Sequence, residues 1–283
     1  MRDNWASMNS FFEPIFLGLI QGLTEFLPIS SSAHLRIVGE FFNTPLDPGA
    51  TFTAITQIGT EFAVLLYFRV EILAIVQSLF KFFRTRDLEP QGRLGLLILL
   101  GTLPIVIFGY VGQDSIRSTF RSLWLIAIVL IVFGLILGLA DRIGLNRKEI
   151  SSLSTRDAIF YGLAQSLALV PGVSRSGATI AMGRILGYDR VSALRYSFLL
   201  ALPAVFASGF FELFKALSDT ASESSYSLTQ TFVATVVAFV VGYAMIAWLL
   251  KFVATKSFMP FVIYRVFLGT TVLILLSSRV INP

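Results

Sequence analysis

Cysteine is absent from all 283 residues, so disulfide staples and thiolate metal centres are excluded and the redox compartment leaves no trace. Charge is scarce as well. Asp, Glu, Lys and Arg make up 14% of the chain against 55% hydrophobic residues, and histidine occurs once. A soluble protein of this length needs a charged coat to stay dissolved, and a mean hydropathy of +0.78 leaves no room for one. The runs 94–112, 122–140 and 225–250 carry no charged residue. That is the scale of the ~20 residues a helix needs to cross the hydrocarbon layer. The expectation is an all-α integral membrane protein with a single membrane domain over 1–283. It overrides the one or two soluble domains that length alone suggests.

The charge that remains is patterned. A net charge of +5 invites a nucleic-acid partner, but the basic residues sit in short loops between apolar runs and form no stripe. Nucleic acid is therefore excluded, and those residues read as topology signals. Six transmembrane helices are expected, at 54–70, 94–112, 122–140, 196–211, 228–250 and 258–276. Two further apolar stretches, 15–27 and 158–170, are too short to span. The first contains Gln21 and Glu25 and ends at Pro28; the second contains Gln165 and ends at Pro171-Gly172. Each precedes a Ser-rich turn and another partly apolar helix. Such segments suit two re-entrant helical hairpins, whose irregular backbone is tolerated only against protein or a wet cavity.

The two stretches resemble each other. Gly18-Leu19-Ile20-Gln21 precedes Pro28, and Gly162-Leu163-Ala164-Gln165 precedes Pro171, with the spacing from Gln to Pro differing by one residue. Three spans follow each, so two inverted-topology repeats are expected, about 11–140 and 156–280. Loop charge is consistent with this. Basic loops surround Lys81, Arg84 and Arg86; Arg142, Arg147, Lys148 and Arg156; and Lys251 and Lys256. The loop between Phe211 and Leu228 instead sets Lys215 against Glu212, Asp219 and Glu223. Two hairpins and six spans put every basic loop on the cytoplasmic face and both termini outside. Eight full spans also keep two of the basic loops together, so the hairpins rest on length and breaking residues. Residues 1–9, with Arg2 and Asp3 and no small-residue cleavage site behind them, do not read as a signal peptide.

Two polar clusters interrupt the apolar pattern. In the first, Gln21 and Glu25 share one helix face, Pro28 breaks the helix, and Ser30, Ser31, Ser32 and the only histidine, His34, follow. A carboxylate, hydroxyls and an imidazole so close together could hold a metal, activate a nucleophile or move a proton. In a soluble protein the blander reading, a Ser-rich cap after a proline, is preferred. Inside a membrane an ionisable group costs about 2.5 to 3.5 kcal/mol on insertion scales, which makes function the default. The second cluster, from Pro171 through Thr179, opens a helix with Gly172, Ser174, Arg175, Ser176 and Gly177. Small residues allow close approach, helix-start amides favour anions, and a guanidinium fork suits phosphate oxygens. A capped helix with a snorkelling arginine is the alternative. Arg265 and Glu61 also lie within spans; Arg265 could pair with a carboxylate, complete the anion site or be structural, and Glu61, site or scaffold alike, could pair with either arginine.

At these clusters the chain resembles the bacitracin-resistance family of undecaprenyl pyrophosphate phosphatases over nearly its whole length. The first signature is met by Gln21, Glu25, Pro28, Ser30, Ser31 and His34, and the second by Pro171 through Thr179 without exception. Gln57-Ile58-Gly59, Gln165 and Ile263-Tyr264-Arg265 add support. The resemblance implies removal of the terminal phosphate from a C55 polyprenyl pyrophosphate, leaving the monophosphate lipid carrier for cell-wall synthesis. It also implies a divalent metal, Mg2+ or Ca2+, and a multi-pass protein of the bacterial plasma membrane whose active site opens to the outer side. The partners implied are the lipid substrate and membrane lipids, with a homodimer left open. Three departures stand out: Gln21 where many members have Glu, Ser32-Ala33 for the common Thr-Gly, and Glu61 where a small residue is usual.

The mechanism expected is metal-assisted phosphoryl transfer, in which fixed cations dominate. Glu25, with Gln21, holds the metal. Arg175 binds the pyrophosphate, together with Ser30, Gln165, Ser174, Ser176, Gly177 and Thr179. Ser31 is the preferred nucleophile with His34 as its proton partner; Ser30 and water are the rivals. A phosphohistidine mechanism needs a second histidine and is dismissed. A lipid-phosphate flippase or transporter on the same inverted-repeat fold is the alternative from a different class.

Overall fold

The structure is a computed structural model that describes residues 2–40, 49–112, 122–218 and 226–281. Eleven α-helices form among the described residues: α1 (Arg2–Thr24), α2 (Ser31–Gly39), α3 (Gly49–Tyr67), α4 (Arg69–Thr85), α5 (Pro90–Val111), α6 (Leu123–Ile143), α7 (Thr155–Ser166), α8 (Arg175–Ile185), α9 (Arg190–Leu217), α10 (Leu228–Thr255) and α11 (Met259–Ser277). Five of them, α5, α6, α9, α10 and α11, are long and apolar enough to cross a membrane. A sixth qualifies if α3 and α4 count as one bent span. Leu103, Ile107 and Val111 on α5 and Leu135 and Leu139 on α6 are exposed, four residues apart along one helix face. Apolar side chains face outward in continuous stripes, as a lipid-bathed protein requires.

Residues 69–85 differ from expectation. The basic loop around Lys81, Arg84 and Arg86 is largely a helix, α4, bent 83° from α3. Its apolar residues alternate with Glu71, Gln77, Lys81 and Arg84, a dilution that a search for uncharged runs passes over. Helix α9 is also longer than the expected 196–211 because Asp189 caps its start by accepting from Ser192 N at 2.8 Å.

The two stretches fold alike at their serine ends, although α1, at 23 residues, runs well beyond the expected 15–27, whereas α7 has only 12. Helices α2 and α8 each begin after a serine in the left-handed region, Ser30 with φ 73° and Ser174 with φ 70°. Each serine Oγ accepts from the backbone N–H three residues on, at Ala33 and Gly177. Counted to these serines, the repeats match: Ser30 lies nine residues beyond Gln21, and Ser174 nine beyond Gln165. The one-residue mismatch found by counting to proline disappears.

Packing explains the repeated Gly-Leu-x-Gln string. Helix α1 lies on α10, where a Cβ on Gly18 would sit 2.4 Å from Ala234 O; α7 lies on α5, where one on Gly162 would sit 2.3 Å from Gly101 O. In both strings the following leucine is exposed and the glutamine buried. Each short helix therefore uses its glycine to touch a partner from the other half of the chain. Gly162→Ala forces α7 away from α5, and the expected loss is about 1–3 kcal/mol, as for overpacking elsewhere, read as a lower thermal midpoint in detergent.

The chain returns to its starting point around α7 and α8. Arg147 N and Lys148 N both donate to Gly187 O, at 2.9 and 3.0 Å, and Asp189 N donates to Lys148 O at 2.9 Å. Arg184, at the far end of α8, is fully buried. It donates to Asp141 Oδ1, Asn146 Oδ1 and the carbonyls of Asp141, Gly144 and Tyr188. Arg190 and the Phe258 amide also donate to Asp141. The ends of α6 and α8 and the starts of α9 and α11 are thereby tied together.

Candidate active site

The turns after α1 and before α8 meet in the interior. Glu25, one residue past α1, keeps the helical bond from its N–H to Gln21 O, which leaves its carboxylate beside the Gln21 side chain. Glu25 Oε2 accepts from Gln21 Nε2 at 2.7 Å, Ser31 Oγ at 2.6 Å and Gln57 Nε2 at 3.4 Å. Its other oxygen accepts from Arg175 Nη2 at 2.7 Å, across 150 residues of sequence. The same Nη2 donates to Glu61 Oε1 at 2.7 Å. One guanidinium thus bridges two buried carboxylates from α3 and the α1 turn. A buried ion cluster of this kind must be paired and hydrogen-bonded to persist.

Three atoms of the cluster have no hydrogen-bond partner among the described residues: Arg175 Nη1, Glu61 Oε2 and Gln21 Oε1. They are one charged donor and two oxygen acceptors, all buried. That combination matches an anion carried with a cation. A small cavity there is lined by Glu25, Glu61, Arg175, Ser176 and Ser197, with Phe26 and Phe198 forming an edge-to-face wall at 5.1 Å.

The other expected residues divide. Ser176 Oγ donates to Leu27 O at 3.1 Å and lies 3.2 Å from Ser174 Oγ, while Thr179 Oγ1 lies 2.5 Å from Ser197 Oγ. These hydroxyls form the floor beside Arg175. Ser30 mirrors Ser174 as a helix cap and touches Ser32 at 3.2 Å. Gln165 is fully buried, and no hydrogen bond joins it to the cluster among the described residues.

Geometry corrects two expectations and decides the role of Arg265 in favour of scaffold. The Gly177 amide is not free for an anion, because it donates to Ser174 Oγ at 3.1 Å. Ser31 gives its hydrogen bond to Glu25. His34 does not reach it, since Nδ1 meets Ser30 O and Nε2 meets Tyr264 OH, both at 2.7 Å. Arg265 joins no carboxylate. Its Nε donates to Leu130 O, Nη1 to Pro28 O and Val173 O, and Nη2 to Gly172 O, at 2.8 to 3.1 Å. It pins both polar turns to α6.

Sequence reasoning gave Gln57 and Tyr264 no role and did not single out Ser197. The available signal for Ser197 was a hydroxyl near the start of an apolar run. Glu61 pairs with Arg175, one of the two arginines open to it from the sequence.

The chain matches the model of the bacitracin resistance protein BacA family over residues 14–271. Among curated relatives it is 54% identical to an undecaprenyl-diphosphatase of Micrococcus luteus, over 96% of this chain and 99% of the relative. A protein of the same name from Nocardioides sp. is 56% identical over 97% and 99%. One from Arthrobacter sp. is 53% identical over the full length of both. The glutamate, the bridging arginine and the serine turns lie within the matched range, and this chain belongs to the bacitracin resistance protein BacA family.

Proposed function

We propose that this chain is an undecaprenyl pyrophosphate phosphatase that hydrolyses a C55 polyprenyl pyrophosphate to the lipid monophosphate and inorganic phosphate. The observation that carries this reading is Arg175 bridging Glu25 and Glu61 with one N–H group unclaimed. The relatives' names point the same way. Arg175 Nη1 receives an oxygen of the terminal phosphate, and the guanidinium stabilises charge as it gathers in the transition state. Ser31 Oγ attacks the terminal phosphorus, its proton passing to Glu25 Oε2. The bond to the bridging oxygen breaks, and the lipid monophosphate leaves. Water then cleaves the phosphoserine. His34, held between Ser30 O and Tyr264, positions the turn that presents Ser31.

The donor set fits a divalent ion such as Mg2+ or Ca2+. No group of three His, Cys, Asp or Glu residues able to hold a metal occurs among the described residues. Hard cations of this kind need only one or two carboxylates when phosphate oxygens complete the shell. Glu25, Glu61 and the amide oxygen of Gln21 would hold the ion. When bound it supplies positive charge against the phosphate oxygens, without which two carboxylates and one guanidinium poorly attract a diphosphate.

We read α1–α2 and α7–α8 as re-entrant hairpins of two inverted repeats, about 11–140 and 156–280. The hydrogen bonds closing Lys148 onto Gly187 support entry and return on one face. Helix α8 has 11 residues, about 15 Å of rise, or half the ~30 Å hydrocarbon layer. Arg175 therefore sits near the midplane. The basic loops support a reading in which the Arg184 end faces the cytoplasm of a bacterial plasma membrane and the substrate enters from the outer side.

Phosphate release in detergent, where no second compartment exists, tests the reading; a pure lipid carrier releases none. Chelator is expected to suppress release, and added Mg2+ or Ca2+ to restore it. Ser31→Ala is expected to lose nearly all turnover, and rapid quenching of the wild type to trap a phosphoserine at Ser31. Full activity in Ser31→Ala would remove its role as nucleophile.

A further inference from the structure

Helix α4 takes no part in the site, and its surface divides three ways. One side faces protein: Ile75 and Ser78 are buried, Ser78 Oγ accepts from Gly92 N at 3.0 Å, and Glu71 pairs with Arg195 at 2.9 Å. At about 3.6 residues per turn, Leu73, Val76, Phe80 and Phe83 fall in a neighbouring arc of roughly 80°. All four are exposed, Phe80 by 73% and Phe83 by 65%. The third arc holds Gln77, Lys81 and Arg84, with Val70 at its N-terminal end. Because α4 is bent 83° from α3, a membrane crossed by α3 places α4 in its plane.

We propose that α4 is an in-plane amphipathic helix that seats its Leu73, Val76, Phe80 and Phe83 stripe in the inner leaflet and binds anionic phospholipid headgroups at its C-terminal end. An apolar stripe flanked by basic residues lies at an interface with its apolar face sunk into the headgroup–acyl boundary. Charge selects the headgroup. Lys81 is neutralised by Asp87 and Glu89 at 3.2 and 2.5 Å. Arg84 and Arg86 are exposed and pair with no carboxylate among the described residues. Basic groups near an anionic surface are attracted to its headgroups. The exposed surface is too apolar for water, and its basic end suits lipid phosphate better than an uncharged protein face.

The chain has no cysteine, so single replacements label one site each. Leu73→Cys, Val76→Cys, Phe80→Cys and Phe83→Cys, with Gln77→Cys as control, are nitroxide-labelled in vesicles of phosphatidylcholine with and without phosphatidylglycerol. The expected result is one common lipid depth for the four stripe positions and a shallower, more aqueous Gln77. A steady change of depth from 73 to 83 would show a crossing segment, and dipolar broadening between copies would show a protein partner; either overturns the proposal. Spin-labelled phosphatidylglycerol is expected to be held in preference to phosphatidylcholine, a preference lost in the Arg84→Gln, Arg86→Gln double variant. A preference unchanged in that variant overturns the headgroup assignment.

Discussion

Arg175→Ala is expected to abolish phosphate release from a polyprenyl pyrophosphate while the protein still inserts in the membrane. Two losses coincide. The first is chemical: a preorganised donor aimed at developing charge contributes about 10²–10³-fold in rate. The second is electrostatic, because Glu25 and Glu61 are left facing each other in a buried site without the Nη2 that bridges them. Breaking a buried ion pair typically costs about 3–5 kcal/mol. Pairing the substitution with Glu61→Gln separates the two, since it removes one carboxylate charge. The double variant is expected to regain much of the thermal midpoint and none of the turnover. Arg175→Lys keeps the charge but lacks the planar fork, so it recovers only a minor part of the rate. Turnover near wild type in purified Arg175→Ala would exclude the guanidinium from the chemistry.

The second large effect is expected at Arg265, a residue that touches none of the reacting groups. Arg265→Met keeps an unbranched apolar side chain in place but removes every donor to the carbonyls of Leu130, Pro28, Gly172 and Val173. A buried acceptor left unsatisfied costs about 1–3 kcal/mol, and four share this side chain. The thermal midpoint in detergent is expected to fall sharply. Phosphate release falls with it even below that midpoint, because the pinned turns carry Ser31 and Arg175. Arg265→Lys does not rescue, since one ammonium has three donors to serve carbonyls on two turns and α6. Unchanged melting and turnover in Arg265→Met would show that the turns hold themselves.

The crossing helices were legible because uncharged runs of membrane length have no competing explanation in water. The polar clusters were legible for the same reason: Glu25 and Arg175 in apolar surroundings demand partners. That these two converge follows from pairing the two broken helices; the atoms in contact, and the partners of Arg265, do not. Glu25 meets Arg175 across 150 residues and Arg265 meets Pro28 across 237, and no local pattern encodes such contacts. Arg265 and Arg175 are the same residue type in similar apolar context, yet one binds carbonyls and the other carboxylates. Only the fold distinguishes them. Likewise, Gly177 looks like an anion-binding amide until the Ser174 side chain is seen to occupy it. Helix α4 escaped because its charges, spread over two of its three faces, read as loop.

The exchange of partners between the two halves has a temporal consequence. The glycine face of α1 packs against α10, and that of α7 against α5. A ribosome adds about 5–20 residues per second, so the helix bearing Gln21 and Glu25 waits on the order of ten seconds or more for the surface it docks on. Until then the helix has no docking surface, even after Arg175 has been made, and a nascent chain that stops midway holds half of each contact. The chemistry of this molecule can begin only after its last helices have been made.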